Sequence, residues 1–164
     1  MYETQFGSLE KFSKGTIELI QGNAKHYVFS NLFEVASRSK PYEKVVVARN
    51  LQFVIETLRA EGTSPWFTAS HDEFAVVMDG EVEAHLVKLT QPEKFASASQ
   101  DGSIQLKEPP DGRKMGFVRL RRGHQVLLPQ GAAYQFRAVR TGVLLLQTVL
   151  GKHSVEKWSD ICYS

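Results

Sequence analysis

The chain has 164 residues, enough for one domain with a full core and too few for two of ordinary size. Apolar residues make up 42% and charged residues 23%, which is a globular composition rather than a disordered or fibrous one. Lys and Arg number 20 against 18 Asp and Glu, and a balance of +2 argues against a nucleic-acid or polyanion binder. One cysteine, Cys162, excludes an intrachain disulfide and a cysteine-rich zinc site. The longest apolar run, Phe74 to Met78, is far short of a membrane span. The opening Met1-Tyr2-Glu3 lacks the basic-then-apolar order of a signal peptide, so a cytoplasmic location is expected.

In chain order, residues 1–26 mix charge, Gly and Ser with short apolar pieces and read as an arm or outer strand. Ser30 is the expected N-cap of a short helix over Asn31–Ala36, which Ser39-Lys40-Pro41 ends. Strands follow at Val45–Ala48 and Leu51–Leu58, then turn chemistry at Glu61-Gly62-Thr63-Ser64-Pro65. Phe74–Met78 is apolar throughout and predicts a strand buried on both faces. Asp79-Gly80 predicts a tight turn into the strand Glu81–Leu89, making a hairpin. Residues 90–114 are rich in breakers and read as a long loop or arm, with a minor hairpin through Ile104–Leu106. Strands resume at Gly116–Leu120, Gln125–Leu128, Tyr134–Val139 and Gly142–Leu150, with turns at Arg122-Gly123, Pro129-Gln130-Gly131 and Arg140-Thr141-Gly142. Seven or eight short strands with Gly turns mean an all-β barrel or sandwich. The expected organisation is an N-terminal arm and short helix over 1–43, a barrel over 44–158 carrying the inserted 90–114 loop, and a tail over 159–164.

Two segments carry a specific spacing. Glu73 is followed by six residues and Gly80; later, Gly123 is followed by five residues, Pro129, one residue, Gly131, two residues and Tyr134. The pair resembles the two signature motifs of the cupin superfamily, in which two histidines and a Glu of the first motif join a His of the second around a divalent metal. The resemblance implies a small antiparallel jelly-roll barrel. The ligand positions do not follow: counting back from Glu73, the two histidine positions fall on Trp66 and Thr68, or on Phe67 and Ala69, and the last histidine is Tyr134. Only Glu73 survives, and one carboxylate cannot hold iron or zinc tightly. No metal site and no catalytic residue are therefore assigned to this chain.

The five histidines, at 26, 71, 85, 124 and 153, do not repair the set. His71 shares the strand parity of Glu73, so both can point inward. His85 falls on the polar face of its strand, His124 at the barrel end in the Gly123 turn, and His26 and His153 in edge segments with nothing around them. Trp66, Phe67 and Tyr134 read as barrel lining. Glu73 without a metal is either buried and paired or turned to water. Arg119 and Arg121 alternate onto one solvated face. If the barrel keeps a pocket for a small aromatic molecule, its candidate residues are Trp66, Thr68, His71, Glu73 and Tyr134.

Beyond the superfamily spacing, the length and the stretches Asn31–Ser39, Pro41–Lys44 and Ser64–Gly80 are similar to the small subunit of the two-component hydroquinone 1,2-dioxygenases. That resemblance implies a metal-free cupin beside a larger catalytic cupin subunit, two of each in a heterotetramer. The larger subunit's non-haem Fe(II) would activate O2 to open hydroquinone during aromatic degradation, so this chain itself would need no cofactor. The arm and the 90–114 loop would then be docking elements. The alternative is a stand-alone metal-free cupin that binds or isomerises a small molecule in its barrel.

Overall fold

The computed structural model describes residues 7–13, 31–95 and 102–157. Most of the expected arm, the expected cap Ser30, His26, Cys162 and the tail over 159–164 lie outside the described residues.

The helix, α1, spans Leu32–Arg38. Its N-cap is Asn31 rather than Ser30: the Asn31 side chain accepts from the amides of Phe33 at 3.0 Å and Glu34 at 3.2 Å. Asn and Ser cap about equally well, so two adjacent candidates differ only in where the chain bends. Ser39 closes the other end, its hydroxyl donating to the Val35 carbonyl at 2.7 Å. Val35 packs on Val45, Val47, Ile55 and Leu145, which docks α1 on the outside of the sheet. Residues 7–13 join this layer: Phe12 stacks on Phe33, and the Leu9 amide donates to Asp79 at 2.7 Å.

The strands are β1 (Lys44–Asn50), β2 (Phe53–Thr63), β3 (Phe67–Thr68), β4 (Glu73–Asp79), β5 (Glu81–Leu89), β6 (Ile104–Gln105), β7 (Gly112–Arg121), β8 (Gln125–Leu128), β9 (Ala132–Val149) and β10 (Ser154–Val155). They form one curled sheet organised around β9, an 18-residue strand. Along one edge of β9 run β2 and then β3; along the other run β4, paired over residues 143–147, and then β5, paired over residues 132–137. β8 extends β4, β7 extends β5, and β1 extends β2. The result is an antiparallel jelly-roll barrel with short helix α1 outside.

This topology changes two expectations. β4 and β5 make no hairpin; they lie end to end along the same edge of β9, so Asp79-Gly80 is a corner. Arg140-Thr141-Gly142 is likewise no turn but the matching corner inside β9. The two corners touch: a Cβ on Gly142 would sit 2.7 Å from the Asp79 carbonyl oxygen, and Gly80, with φ at 77°, faces the Gly142 Cα. Glycine at such a site reads as a turn in sequence, but here it permits two strands to bend together. Gly142→Ala is expected to cost about 1–3 kcal/mol through this backbone clash, seen as a lower urea midpoint with an unchanged slope.

β4 is also not buried on both faces. Ala75 and Val77 enter the barrel, whereas Phe74 is 45% exposed on the outside. β7 starts at Gly112, four residues earlier than expected, and takes up the end of the 90–114 segment. The main core fills the barrel with Leu58, Ala75, Val77, Val82, Leu128, Phe136, Leu144 and Leu146 among its members.

Candidate functional site: a charged trio at the barrel centre

Strand alternation brings polar groups into this apolar interior. β1 turns Val45 and Val47 toward α1, which sends Lys44 and Val46 inward; β2 sends Glu56 in between Val54 and Leu58. Lys44 is 2% exposed, Glu56 1% and Glu73 0%. The Lys44 ammonium lies 2.9 Å from the Ser103 hydroxyl, 3.8 Å from Glu56 Oε2 and 4.6 Å above the Phe67 ring. Ser103 donates its proton to Glu73 Oε1 at 2.6 Å and accepts from the Tyr134 hydroxyl at 3.2 Å. Thr148 donates to the same Glu73 oxygen at 2.6 Å. His71 Nε2 lies 3.0 Å from the Thr148 hydroxyl; because that proton is already given to Glu73, the histidine is the donor. Ser154 donates to the other oxygen of Glu56 at 2.5 Å.

The arrangement therefore holds one ammonium and two carboxylates, with Glu56 Oε2 and Glu73 Oε2 buried and without hydrogen-bond partners. Burial pushes the Glu56 carboxyl above its usual range and Glu73 adds to this, while Lys44 and Ser154 act against it. Burial also pushes the Tyr134 phenol well up, with the Glu73 charge adding to the effect, so it stays a neutral donor. His153, which meets Phe67 edge-on at 6.2 Å, is held below its usual value by burial first and the Lys44 charge second. It is thus not an isolated edge residue.

A raised carboxyl binds its proton more tightly folded than unfolded. Its contribution to stability is full below its ordinary value of 4.5 and is lost as pH rises through the folded value. Glu56→Gln removes that loss. The variant's stability relative to the parent should therefore climb between pH 4.5 and 8, read as the difference in urea midpoints at the two pH values.

The five candidate pocket residues separate in space. His71, Glu73 and Tyr134 belong to one hydrogen-bonded chain through Thr148 and Ser103. Thr68 is buried and gives its hydroxyl to the Ala132 carbonyl at 2.8 Å. Trp66 packs with Phe95 against Leu89, Leu106 and Ala133, a smaller cluster separate from the main core. Lys44, Glu56, Ser103 and Thr148 were not among the candidates. Lys44 and Glu56 had a signal: each occupies an inward register position beside apolar neighbours, where a charge needs an explanation.

Among the described residues no three His, Cys, Asp or Glu side chains come together as a metal site. The donor set at the barrel centre does not fit a divalent metal either, because the Lys44 ammonium already lies in the same hydrogen-bonded network as Glu73, joined to it through Ser103, and would repel a second cation.

The remaining charges lie outside. Arg119 pairs with Glu83 at 2.7 Å, Arg121 with Glu81 at 2.8 Å and Arg122 with Asp79 at 2.6 Å, so these arginines form a paired surface ladder and not an anion site. Of the three, Arg119 borders an open cleft of about 770 Å³, with Glu81 and Glu83 beside it, that Arg137, Val139 and Arg140 complete. His85 stacks on Phe117 at 4.9 Å and bonds Glu83, and His124 accepts from the Arg121 amide in the Gly123 turn.

The barrel, its corner glycines and the retained Glu73 define a protein of the cupin fold, and comparison with solved structures narrows the class. A chain of the hydroquinone 1,2-dioxygenase PnpCD, solved with Cd2+ and 4-hydroxybenzonitrile, is 58% identical with a TM-score of 0.89, covering 100% of this chain and 98% of that one. A chain of the hydroquinone 1,2-dioxygenase from Sphingomonas sp. TTNP3, solved with 4-hydroxybenzoate, is 45% identical with a TM-score of 0.91, covering 100% and 99%. The chain belongs to the family of hydroquinone 1,2-dioxygenase subunits. A structure of PnpCD with Fe3+ also contains a longer chain that shares the fold at 16% identity and a TM-score of 0.56, over 82% of this chain and 37% of that one. No family model matches the sequence, and no curated protein does. No described helix is long and apolar enough to cross a membrane.

Proposed function

We propose that this chain is the metal-free, supporting subunit of a two-component non-haem iron dioxygenase that opens the ring of hydroquinone with O2. The observation that carries the proposal is the barrel centre. The glutamate that would ligate a metal in a cupin instead accepts hydrogen bonds from Ser103 and Thr148, and Lys44 supplies the cation. A barrel filled in this way holds its shape without a metal, and the chemistry passes to a partner. In the PnpCD enzyme a longer chain carries the same fold, which makes a larger cupin chain the natural holder of Fe(II). Two small and two large chains would form the assembly. This chain then acts by stabilising the larger chain's barrel, and is inactive alone.

The test is co-expression with a larger cupin subunit of a hydroquinone 1,2-dioxygenase. The isolated chain should contain no stoichiometric iron and consume no hydroquinone, whereas the purified complex should contain iron on the larger chain and take up O2 with hydroquinone. Stoichiometric iron, ligand turnover or tight ligand binding by the isolated chain overturns the proposal.

A further inference from the structure

We infer that the outer edge of β7 is where the larger cupin chain docks, by adding a strand to this sheet. The inference rests on the two-component reading above. Among the described residues β7 pairs only with β5, leaving its other edge open. Eight consecutive residues, 112–119, are exposed. Three of them are large and apolar: Met115 is 50% exposed, Phe117 54% and Val118 41%. Phe117 lies opposite His85 on the outer face, and Val118 opposite Ala84 on the inner face. Apolar side chains standing open on both faces of an edge strand are covered together by a strand laid beside them, and not by a surface resting on one face.

Proteins blunt exposed edges with charges and bulges, and the first half of β7 has both. Lys114 flanks a bulge in which Met115 has no opposite residue, and Gly116 follows with φ at 112°. The protection stops there. From Phe117 to Arg121 the strand is in unbroken register with β5, and its two charges, Arg119 and Arg121, are engaged by Glu83 and Glu81 of β5.

Charge then says what kind of strand fits. Arg119 and Arg121 are neutralised by Glu83 and Glu81, but Arg113 stands directly opposite Lys88, with Lys114 beside it. Like charges directly opposite one another are destabilising, and no ion pair joins these three among the described residues. The site therefore takes an apolar strand whose end carries carboxylates, in register to meet Lys88, Arg113 and Lys114.

The experiment uses the co-expressed complex. Hydrogen exchange should slow across Phe117–Arg121 when the isolated chain is compared with the complex. Met115→Glu/Phe117→Glu replaces exposed side chains, so the isolated chain should remain folded by circular dichroism while affinity for the larger chain falls at least ~10-fold. Arg113→Glu/Lys114→Glu should slow association and weaken its salt dependence. If the parent complex forms, but β7 exchanges as before and the apolar pair binds within about twofold, the docking surface is wrong while the two-component reading stands. If the parent chain forms no complex with the larger cupin, both fail. A homodimer of this chain that protects the same amides and excludes the larger cupin also overturns the inference.

Discussion

Lys44→Met should be among the most damaging single substitutions in the barrel. It keeps most of the side-chain volume and deletes the charge, leaving the buried Glu56 and Glu73 without a cation to balance their mutual repulsion. Removing one partner from a buried ionic group costs about 3–5 kcal/mol, which for a domain of this size is roughly 6–20 °C in Tm. The pH dependence identifies the cause. Protonating Glu56, whose carboxyl burial already raises, relieves the repulsion, so the loss should be larger at pH 8 than at pH 5 by calorimetry. A loss under about 1 kcal/mol, equal at both pH values, would mean that the ammonium is only packing.

The second large effect belongs to Glu73. Glu73→Ala leaves the Ser103 and Thr148 hydroxyls without their acceptor, strips Lys44 of one counter-charge and opens a cavity, for an expected cost of about 3–5 kcal/mol. Glu73→Gln retains an oxygen for both hydroxyls and should recover a substantial part of that loss. The two variants separate a structural role from metal binding. In the complex purified below their melting temperatures, iron per larger chain should equal that of the parent for both. A fall in iron that follows the substitution at Glu73 would return the residue to the ligand position that its motif occupies in metal-binding cupins.

Some of this was legible in the sequence and some was not, for physical reasons. The period-two pattern and the paired motif spacing located the barrel, because burial on one face of each strand leaves a local trace. The corners at Gly80 and Gly142 did not: a glycine that bends a strand and one that closes a hairpin look alike, and only the partners along β9 separate them. The missing metal ligands were visible as Trp66 and Thr68, or Phe67 and Ala69, together with Tyr134. What replaced them was not, since Ser103 meets Glu73 across 30 positions of sequence and Lys44 meets Ser103 across 59, following no spacing rule. Only the inward parity of Lys44 and Glu56, each flanked by apolar register neighbours, hinted at a charge inside.

The length and position of β9 have a consequence for how the protein is made. Most of the sheet depends on residues 132–149, which follow β2, β3, β4 and β5, the strands they join, in the sequence. During synthesis β2, β4 and β5 leave the ribosome long before the strand that joins them, and their unpaired edges wait in the open. Few contacts are local, so closure carries a high entropic cost and is slow. A subunit with this order of assembly gains from a partner made at the same time and place, and yields of native protein should be higher when the two chains are translated together than when refolded chains are mixed.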